Sequence, residues 1–213
     1  MILVKPSFEI LGIYTNNPLA LIELAGRTAY KSEDKITDTS AEKFVKMLRD
    51  RGHESVIEHS GITIKFIVDR GVSHELVRHR LSAYTQESTR YCNYKGGVTF
   101  VIPPWVTTVE PGEYEHIFRY GFGADKIWFI AMSNAETYYR DLLRVGWSPE
   151  KARSVLPNSL KTEIVMSTNF REMRHILKLR TSKAAHPQMR EIMIPLLREL
   201  KNEVPVIFDD IGE

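Results

Sequence analysis

The chain has 213 residues, is 43% hydrophobic and carries a formal net charge of +2. A chain of this length buries a substantial core, so we expect a single domain over residues 1–213 without a disulfide or a structural metal. The near-neutral charge argues against general coating of a nucleic-acid polymer, and the lack of an apolar run of about 18 residues argues against a membrane span. The one cysteine, Cys92, favours a reducing cytoplasm.

The first half of the chain alternates between helical and strand patterns. Helices are predicted over residues 17–31 and 39–51, the second with Ser40 as its cap. Apolar side chains then alternate with polar ones over residues 61–69, which predicts a half-buried strand. A helix capped by Asp69 or Ser73 is expected to run from there to about Arg80, where a polar stretch stops it.

The sequence pattern in the second half of the chain predicts one short strand, one longer strand and further helices. The short strand lies near Phe100, and a long helical region covers residues 113–145, interrupted at Gly121 and Gly123 and ended by Gly146. Residues 162–168 are rich in strand formers, and helices are predicted over residues 169–179 and 187–203. The whole pattern predicts an α+β fold, with helices around a mainly antiparallel sheet.

Positive charge is concentrated in two segments. Residues 78–95 carry +3 and residues 161–190 carry +5, so the rest of the chain carries −6. Local positive sites on an otherwise acidic chain suit small anionic ligands better than a polymer.

The first charged segment opens with Arg78-His79-Arg80. If these residues continue a helix, Arg78 and Arg80 point about 200° apart and would serve two ligands. Guanidinium groups match phosphate geometry, so two phosphorylated molecules held side by side are one interpretation. A solvated basic helix end is the other.

The residues that follow change this balance. Arg78-His79-Arg80, seven further residues and then Ser88 resemble the signature of the flavin-dependent thymidylate synthases. Three other blocks resemble that family in the same order along the chain: Gly52 to His59, Ala152 to Pro157, and Asn169 to Arg180.

The resemblance implies an enzyme, a methyltransferase that converts dUMP to dTMP. It implies FAD as the cofactor, 5,10-methylenetetrahydrofolate and NADPH as co-substrates, and a homotetramer with active sites at the subunit interfaces. The FAD contacts that it implies are His53, Ser55, Arg78, His79, Arg80, Gln86, Asn169, Arg171 and His175. The dUMP contacts that it implies are Glu75, Arg78, Gln86, Glu87, Ser88, Arg90, Arg153 and Arg180. Arg180 would hold the pyrimidine and promote ionisation at its N3, so it is the catalytic candidate.

The fourth block also has a physical interpretation. Asn169 with Glu172 three residues later is an N-cap signal of the capping-box kind. Phe170, Met173 and Leu177 would then form the buried stripe of the helix. The residues expected on its other side are Arg171, Arg174, His175 and Lys178. A basic, solvated helix face is the alternative to a ligand site.

Other chemistries find less support in the sequence. A zincin helix needs a second histidine four residues after His53, where Ile57 stands, so we expect no metal. Nothing local activates Cys92 or Ser88 as a nucleophile. A single-stranded nucleic-acid module is the non-enzymatic alternative, with Tyr84, Tyr91 and Tyr94 as stacking residues.

Overall fold

The structure is a computed structural model and describes residues 1–115 and 123–213. Its strands are β1 (Ile2–Val4), β2 (Ser7–Ile13), β3 (Gly61–Asp69), β4 (Ser82–Gln86), β5 (Thr99–Val101), β6 (Gly112–Glu113) and β7 (Lys161–Asn169). Its helices are α1 (Pro18–Tyr30), α2 (Ser40–Asp50), α3 (Arg70–Leu76), α4 (Ala124–Arg144), α5 (Pro149–Ala152), α6 (Phe170–Arg180), α7 (Pro187–Glu203) and α8 (Pro205–Phe208). The predicted α+β class with a mainly antiparallel sheet is confirmed.

The chain groups into two compact units, each built from three separate segments. Unit 1 comprises Met1–Ser7, Phe66–Leu76 and Thr85–Ile164, and unit 2 comprises Phe8–Lys65, Val77–Tyr84 and Val165–Glu213. Strands β2, β3, β4 and β7 each contribute residues to both units. A single domain over residues 1–213 stays a prediction.

Unit 1 contains a three-stranded sheet in the order β5-β1-β6, with β1 parallel to β5 and antiparallel to β6. Phe100, Phe129 and Tyr139 are fully buried in its core. The predicted helical region began too early. Glu113 belongs to β6, where it pairs with Ile2 of β1, and α4 starts directly after Gly123. Residues 116–122, including Gly121, lie outside the described part.

The second sheet has the order β2-β3-β7-β4. Strand β3 occupies the predicted residues, and Asp69 caps the next helix by accepting a 2.7 Å hydrogen bond from the backbone N of Val72. That helix, α3, ends at Leu76, so the prediction that it runs to about Arg80 is wrong. Its apolar stripe ends there: Val72 and Leu76 are buried, whereas Val77 and Arg78, which follow Leu76, are exposed.

The polar stretch after this helix is itself a strand, which the sequence did not predict. Half-buried Ser82, Tyr84 and Gln86 alternate with exposed residues in β4, and the polarity of these side chains hid the strand pattern. At its end, the backbone N of Glu87 donates to the carbonyl of Glu163 at 2.8 Å, which pairs the chain with β7.

Several helix boundaries in unit 2 agree with the sequence. Helix α7 covers the predicted residues 187–203, and Asn17 caps α1. Thr39, and not Ser40, is the N-cap residue of α2. Ser40 instead donates its hydroxyl to Glu23, a buried carboxylate that needs hydrogen-bond donors. In the described part of the chain, no helix is both long and apolar enough to cross a membrane.

Helix α6 follows β7 without a loop. Asn169 ends the strand and caps the helix, because its side chain accepts a 2.9 Å hydrogen bond from the backbone N of Glu172. Phe170, Met173 and Leu177 form the predicted buried stripe. Arg174 was expected on the solvent side, but it is only 3% exposed, so that prediction is wrong.

Arg174 is buried because it holds the C-terminal segment. Its guanidinium donates to the carbonyl of Ile207 and to both carboxylate oxygens of Asp210, at 2.6 and 2.7 Å from the latter. Arg49 donates to the carbonyl of Val206 at 2.5 Å. The Arg174 hydrogen bond lowers the pKa of Asp210 to about 2. We call Arg49, Arg174 and Asp210 the C-terminal latch.

Replacement of Asp210 by Asn should therefore destabilise the protein. It removes the carboxylate that accepts from the buried guanidinium of Arg174 and lies 3.7 Å from that of Arg49, although solvent screens part of the interaction since the Asp210 side chain is 37% exposed. We expect the free energy of unfolding to fall by about 1–3 kcal/mol, measured by urea denaturation. Asp209→Asn, at the neighbouring exposed carboxylate, is the control. Equal effects of the two substitutions would contradict the latch.

Candidate functional site

A cavity of about 570 Å³ lies against the exposed face of α6 in unit 2. Three of the residues that the sequence singled out for flavin contacts, Asn169, Arg171 and His175, line it. The other residues around it are Glu54, Glu58, Leu81, Glu172, Arg174 and Lys178. The structure therefore brings the fourth sequence block to an open cavity, as a ligand site requires.

A second cavity of about 390 Å³ in the same unit contains His53 and Ser55. Both residues are exposed, at the N-terminal end of a 3-10 helix over Glu54–His59. Glu54 and Arg171 line both cavities. Five of the candidate flavin residues thus surround two cavities that have side chains in common.

Carboxylates hold the guanidinium of Arg171. Its Nη1 donates to Glu58, and its Nε lies 3.6 Å from Glu54. The hydrogen bond from Arg171 to Glu58 raises the pKa of Arg171. This pairing could not be predicted from the sequence, since Glu58 lies more than a hundred residues before Arg171 and belongs to a different block.

The candidate residues 78–80 lie in the turn between α3 and β4. Arg78 and Arg80 are exposed, whereas His79 is only 6% exposed. The prediction that the two arginines diverge because they continue a helix is therefore wrong. A turn separates them instead, with the histidine directed inward.

His79 contacts the catalytic candidate, Arg180, directly. Its Nε2 accepts a 3.0 Å hydrogen bond from Nε of Arg180, and its Nδ1 lies 3.6 Å from a carboxylate oxygen of Glu172. Burial, together with the charges of Arg180 and His175, lowers the pKa of His79 to about 4. The imidazole is therefore neutral near pH 7, and the 3.6 Å contact to Glu172 is not an ion pair of two full charges.

Two of the three tyrosines proposed for stacking have their hydroxyls engaged inside the protein. Tyr84 donates to the backbone carbonyl of His79 at 3.0 Å, and burial raises the pKa of Tyr84. Tyr94 donates to Glu87 at 2.5 Å, and burial followed by that hydrogen bond raises the pKa of Tyr94. Tyr91 is the one of the three that is exposed, so they do not present an open stacking surface.

The nucleotide candidates at the end of β4 and directly after it belong to unit 1. Gln86 donates its amide to Ser73 at 2.9 Å and to Thr162 at 3.1 Å. The carboxylate of Glu87 accepts from Tyr94 and, at 3.3 Å, from Lys161. These hydrogen bonds fix the chain just before Ser88, so the next residues start from a defined position.

Ser88 opens a tight turn in unit 1. Its carbonyl accepts from the backbone N of Tyr91 and of Cys92, and its hydroxyl accepts a 3.3 Å hydrogen bond from the backbone N of Arg90. Arg153 approaches the same turn and donates to the hydroxyl of Thr89 at 2.8 Å. The structure thus places the third sequence block beside the signature segment. Glu75, the remaining candidate, lies on α3 of this unit.

The sequence did not single out four residues that contact the candidates. Lys161 forms an ion pair with Glu87. The carboxylates of Glu54 and Glu58 pair with Arg171, and that of Glu172 faces His79. Glu172 carried a signal, but the three-residue spacing from Asn169 already explained it as part of a helix cap.

Comparison with known proteins gives consistent matches. The chain matches the family described as thymidylate synthase complementing protein over residues 11–206. It is 33% identical over 207 residues to a flavin-dependent thymidylate synthase of Geobacter sulfurreducens, covering 93% of this chain and 84% of that protein. It is 32% identical over 199 residues to a flavin-dependent thymidylate synthase of Corynebacterium glutamicum, covering 90% of this chain and 78% of that protein.

Solved structures share the fold. Thymidylate synthase X of Helicobacter pylori, crystallised with FAD and dUMP, superposes with a TM-score of 0.76 at 21% identity, over 97% of this chain and 98% of that one. The UMP/dUMP methylase PolB of Streptomyces cacaoi, bound with 5-Br dUMP, gives a TM-score of 0.76 at 25% identity, over 98% and 96%.

The buried histidine sets a dependence of stability on pH. Between about pH 4, its lowered pKa, and the ordinary pKa of 6.5, the unfolded chain binds a proton at His79 that the folded chain does not. The wild type should therefore lose stability relative to His79→Gln as the pH falls from about 6.5 to about 4. Urea denaturation of both proteins across this range measures the difference. A difference that stays constant over the range would show that His79 is not held neutral.

Proposed function

Since the chain belongs to the family of flavin-dependent thymidylate synthases, we propose that it methylates dUMP to dTMP reductively, with FAD as cofactor. The carbon donor is 5,10-methylenetetrahydrofolate and the reductant is NADPH. The observation that carries the proposal is the hydrogen bond from Arg180 to the buried, neutral His79, which fixes the guanidinium at the end of the helix that lines the cavity.

The residues around the α6 cavity fit a flavin dinucleotide. FAD carries a pyrophosphate, for which cationic forks are the usual partners. Nε of Arg174 is buried, makes no hydrogen bond among the described residues and lies 3.8 Å from a carboxylate oxygen of Glu54, and Lys178 lines the same cavity. Arg171 would exchange Glu58 for a phosphate oxygen. The residues that we assign to FAD are His53, Ser55, Arg78, His79, Arg80, Gln86, Asn169, Arg171 and His175.

The residues that we assign to dUMP include members of both positively charged segments, residues 78–95 and 161–190. The exposed guanidinium groups of Arg90 and Arg153 are suited to the phosphate, and the hydroxyl of Ser88 adds a donor to it. The remaining assignments to dUMP are Glu75, Arg78, Gln86, Glu87 and Arg180. Glu75 and Glu87 are carboxylates, so they would accept from an arginine or the base and not face the phosphate.

Methylation at carbon 5 of the pyrimidine requires that the ring become nucleophilic. A guanidinium at its N3 stabilises negative charge on the ring, and Arg180 is held for this role by an acceptor that does not neutralise it. When bound and reduced by NADPH, the flavin would supply the hydride and relay the one-carbon unit. Cys92 and Ser88 take no nucleophilic role in this scheme.

We also propose that the active enzyme is a cytoplasmic homotetramer with active sites at the subunit interfaces. The four sequence blocks carry many diverging ligand residues, more than a small domain easily gathers around two ligands. The single cysteine suits a reducing compartment.

Substitution of Arg180 by Ala should abolish most of the activity. Without the guanidinium, charge on the pyrimidine is no longer stabilised, and we expect kcat to fall by about 10²–10³-fold. Anaerobic formation of dTMP from dUMP, methylenetetrahydrofolate, NADPH and FAD measures this. Arg144→Ala removes an exposed arginine that pairs with Asp141 on α4, and serves as the control. Equal activity of the two variants would refute the role of Arg180.

Substitution of Ser88 by Ala tests the assignment of this residue to the dUMP phosphate. Loss of one hydroxyl donor to phosphate should raise the Kd for dUMP by about 5–15-fold, while turnover at saturating dUMP persists. Isothermal titration and steady-state kinetics separate the two effects. Normal dUMP binding with complete loss of turnover would instead indicate a nucleophilic serine.

A further inference from the structure

Glu172, His79 and Arg180 form a chain of polar contacts within unit 2. Glu172 and Arg180 lie on the same helix, eight residues apart, which is about 12 Å along the helix axis. His79 contacts both of them, with Nδ1 at 3.6 Å from Glu172 and Nε2 at 3.0 Å from Arg180. One imidazole therefore links the first and the last turn of α6.

The hydrogen bond from Arg180 is compatible with only one tautomer of a neutral imidazole. A guanidinium can only donate, so Nε2 of a neutral His79 must carry its lone pair towards Nε of Arg180. The proton then lies on Nδ1, the atom that faces Glu172. In the other tautomer, two N–H groups would point at each other, and Arg180 would lose this acceptor.

We propose that Glu172 is a positioning residue, which keeps the proton of His79 on Nδ1 and thereby holds Arg180 in its orientation towards the pyrimidine. The contact of 3.6 Å becomes a hydrogen bond after a small side-chain movement or through one bridging water. The catalytic consequence rests on the proposed function, whereas the tautomer of His79 does not.

A purely structural role of Glu172 is the competing explanation. An acid in the first turn of a helix also interacts favourably with the helix dipole, and Glu172 occupies that position on α6. Two substitutions separate these roles. Glu172→Gln and Glu172→Ala both remove the charge, but only Glu172→Ala also removes the acceptor for Nδ1–H.

Kinetics of the two variants provide the first test. We expect Glu172→Ala to lower kcat about tenfold or more, because small misplacements of a catalytic group are costly. Its Kd for FAD should change less than about threefold, since His79 and Arg171 remain in place. Glu172→Gln should retain most of the wild-type kcat. Equal losses in both variants, or no loss in Glu172→Ala, would overturn the proposal.

The second test needs no turnover, and its decisive readout is the tautomer of His79 in the wild type. In the full-length wild type with ¹⁵N-labelled histidine, NMR should show Nδ1 of His79 protonated and Nε2 unprotonated, with His79→Gln used to assign the resonances. Glu172→Gln should keep this tautomer and Glu172→Ala should not. A proton on Nε2 in the wild type would refute the inference even if dTMP forms. Absence of dTMP formation would refute the proposed function and leave this result standing.

Discussion

The direct junction of β7 and α6 at Asn169 is the constraint on which the site depends. Because no loop separates the strand from the helix, the register of β7 sets the rotation of α6 and the direction of every side chain on it. Strand β3 fixes that register, with the hydroxyls of Thr63 and Ser167 2.8 Å apart. A slip of one residue would turn the opposite face of the strand inward.

Gly61 permits the close approach on which this junction rests. A Cβ at that position would lie 2.3 Å from the carbonyl oxygen of Thr168 and 2.9 Å from the Cα of Asn169, both of them backbone atoms that cannot move aside. The glycine is thus required by packing and not by a turn. Phe170, directly after the junction, packs its ring against that of Phe208, with the two ring centroids 5.6 Å apart. This contact joins α6 to the same C-terminal segment to which Arg174 donates hydrogen bonds.

The sequence predicted regular elements well where one physical signal dominated. Apolar alternation predicted β3, helical spacing predicted α7, and the side chain of Asn169 predicted the start of α6. It failed where polar residues took structural roles. Strand β4 has polar half-buried side chains, and Arg174 is buried because Asp210, far along the chain, neutralises it.

The site was located by its resemblance to a family, but its internal geometry could not be predicted. Sequence spacing does not reveal that His79 is buried between two exposed arginines, or that Glu58 occupies Arg171. Both facts depend on contacts between segments about a hundred residues apart. They decide the chemistry, because a neutral histidine accepts from Arg180 where a protonated one would repel it.

The dependence of dTMP formation on added flavin tests the central claim most directly. Protein stripped of flavin is mixed anaerobically with dUMP, methylenetetrahydrofolate and NADPH, with and without one equivalent of FAD, and dTMP is quantified by chromatography. The account predicts no dTMP without FAD and restored formation with it. Formation of dTMP in the flavin-free protein, or none after FAD has bound, would contradict it.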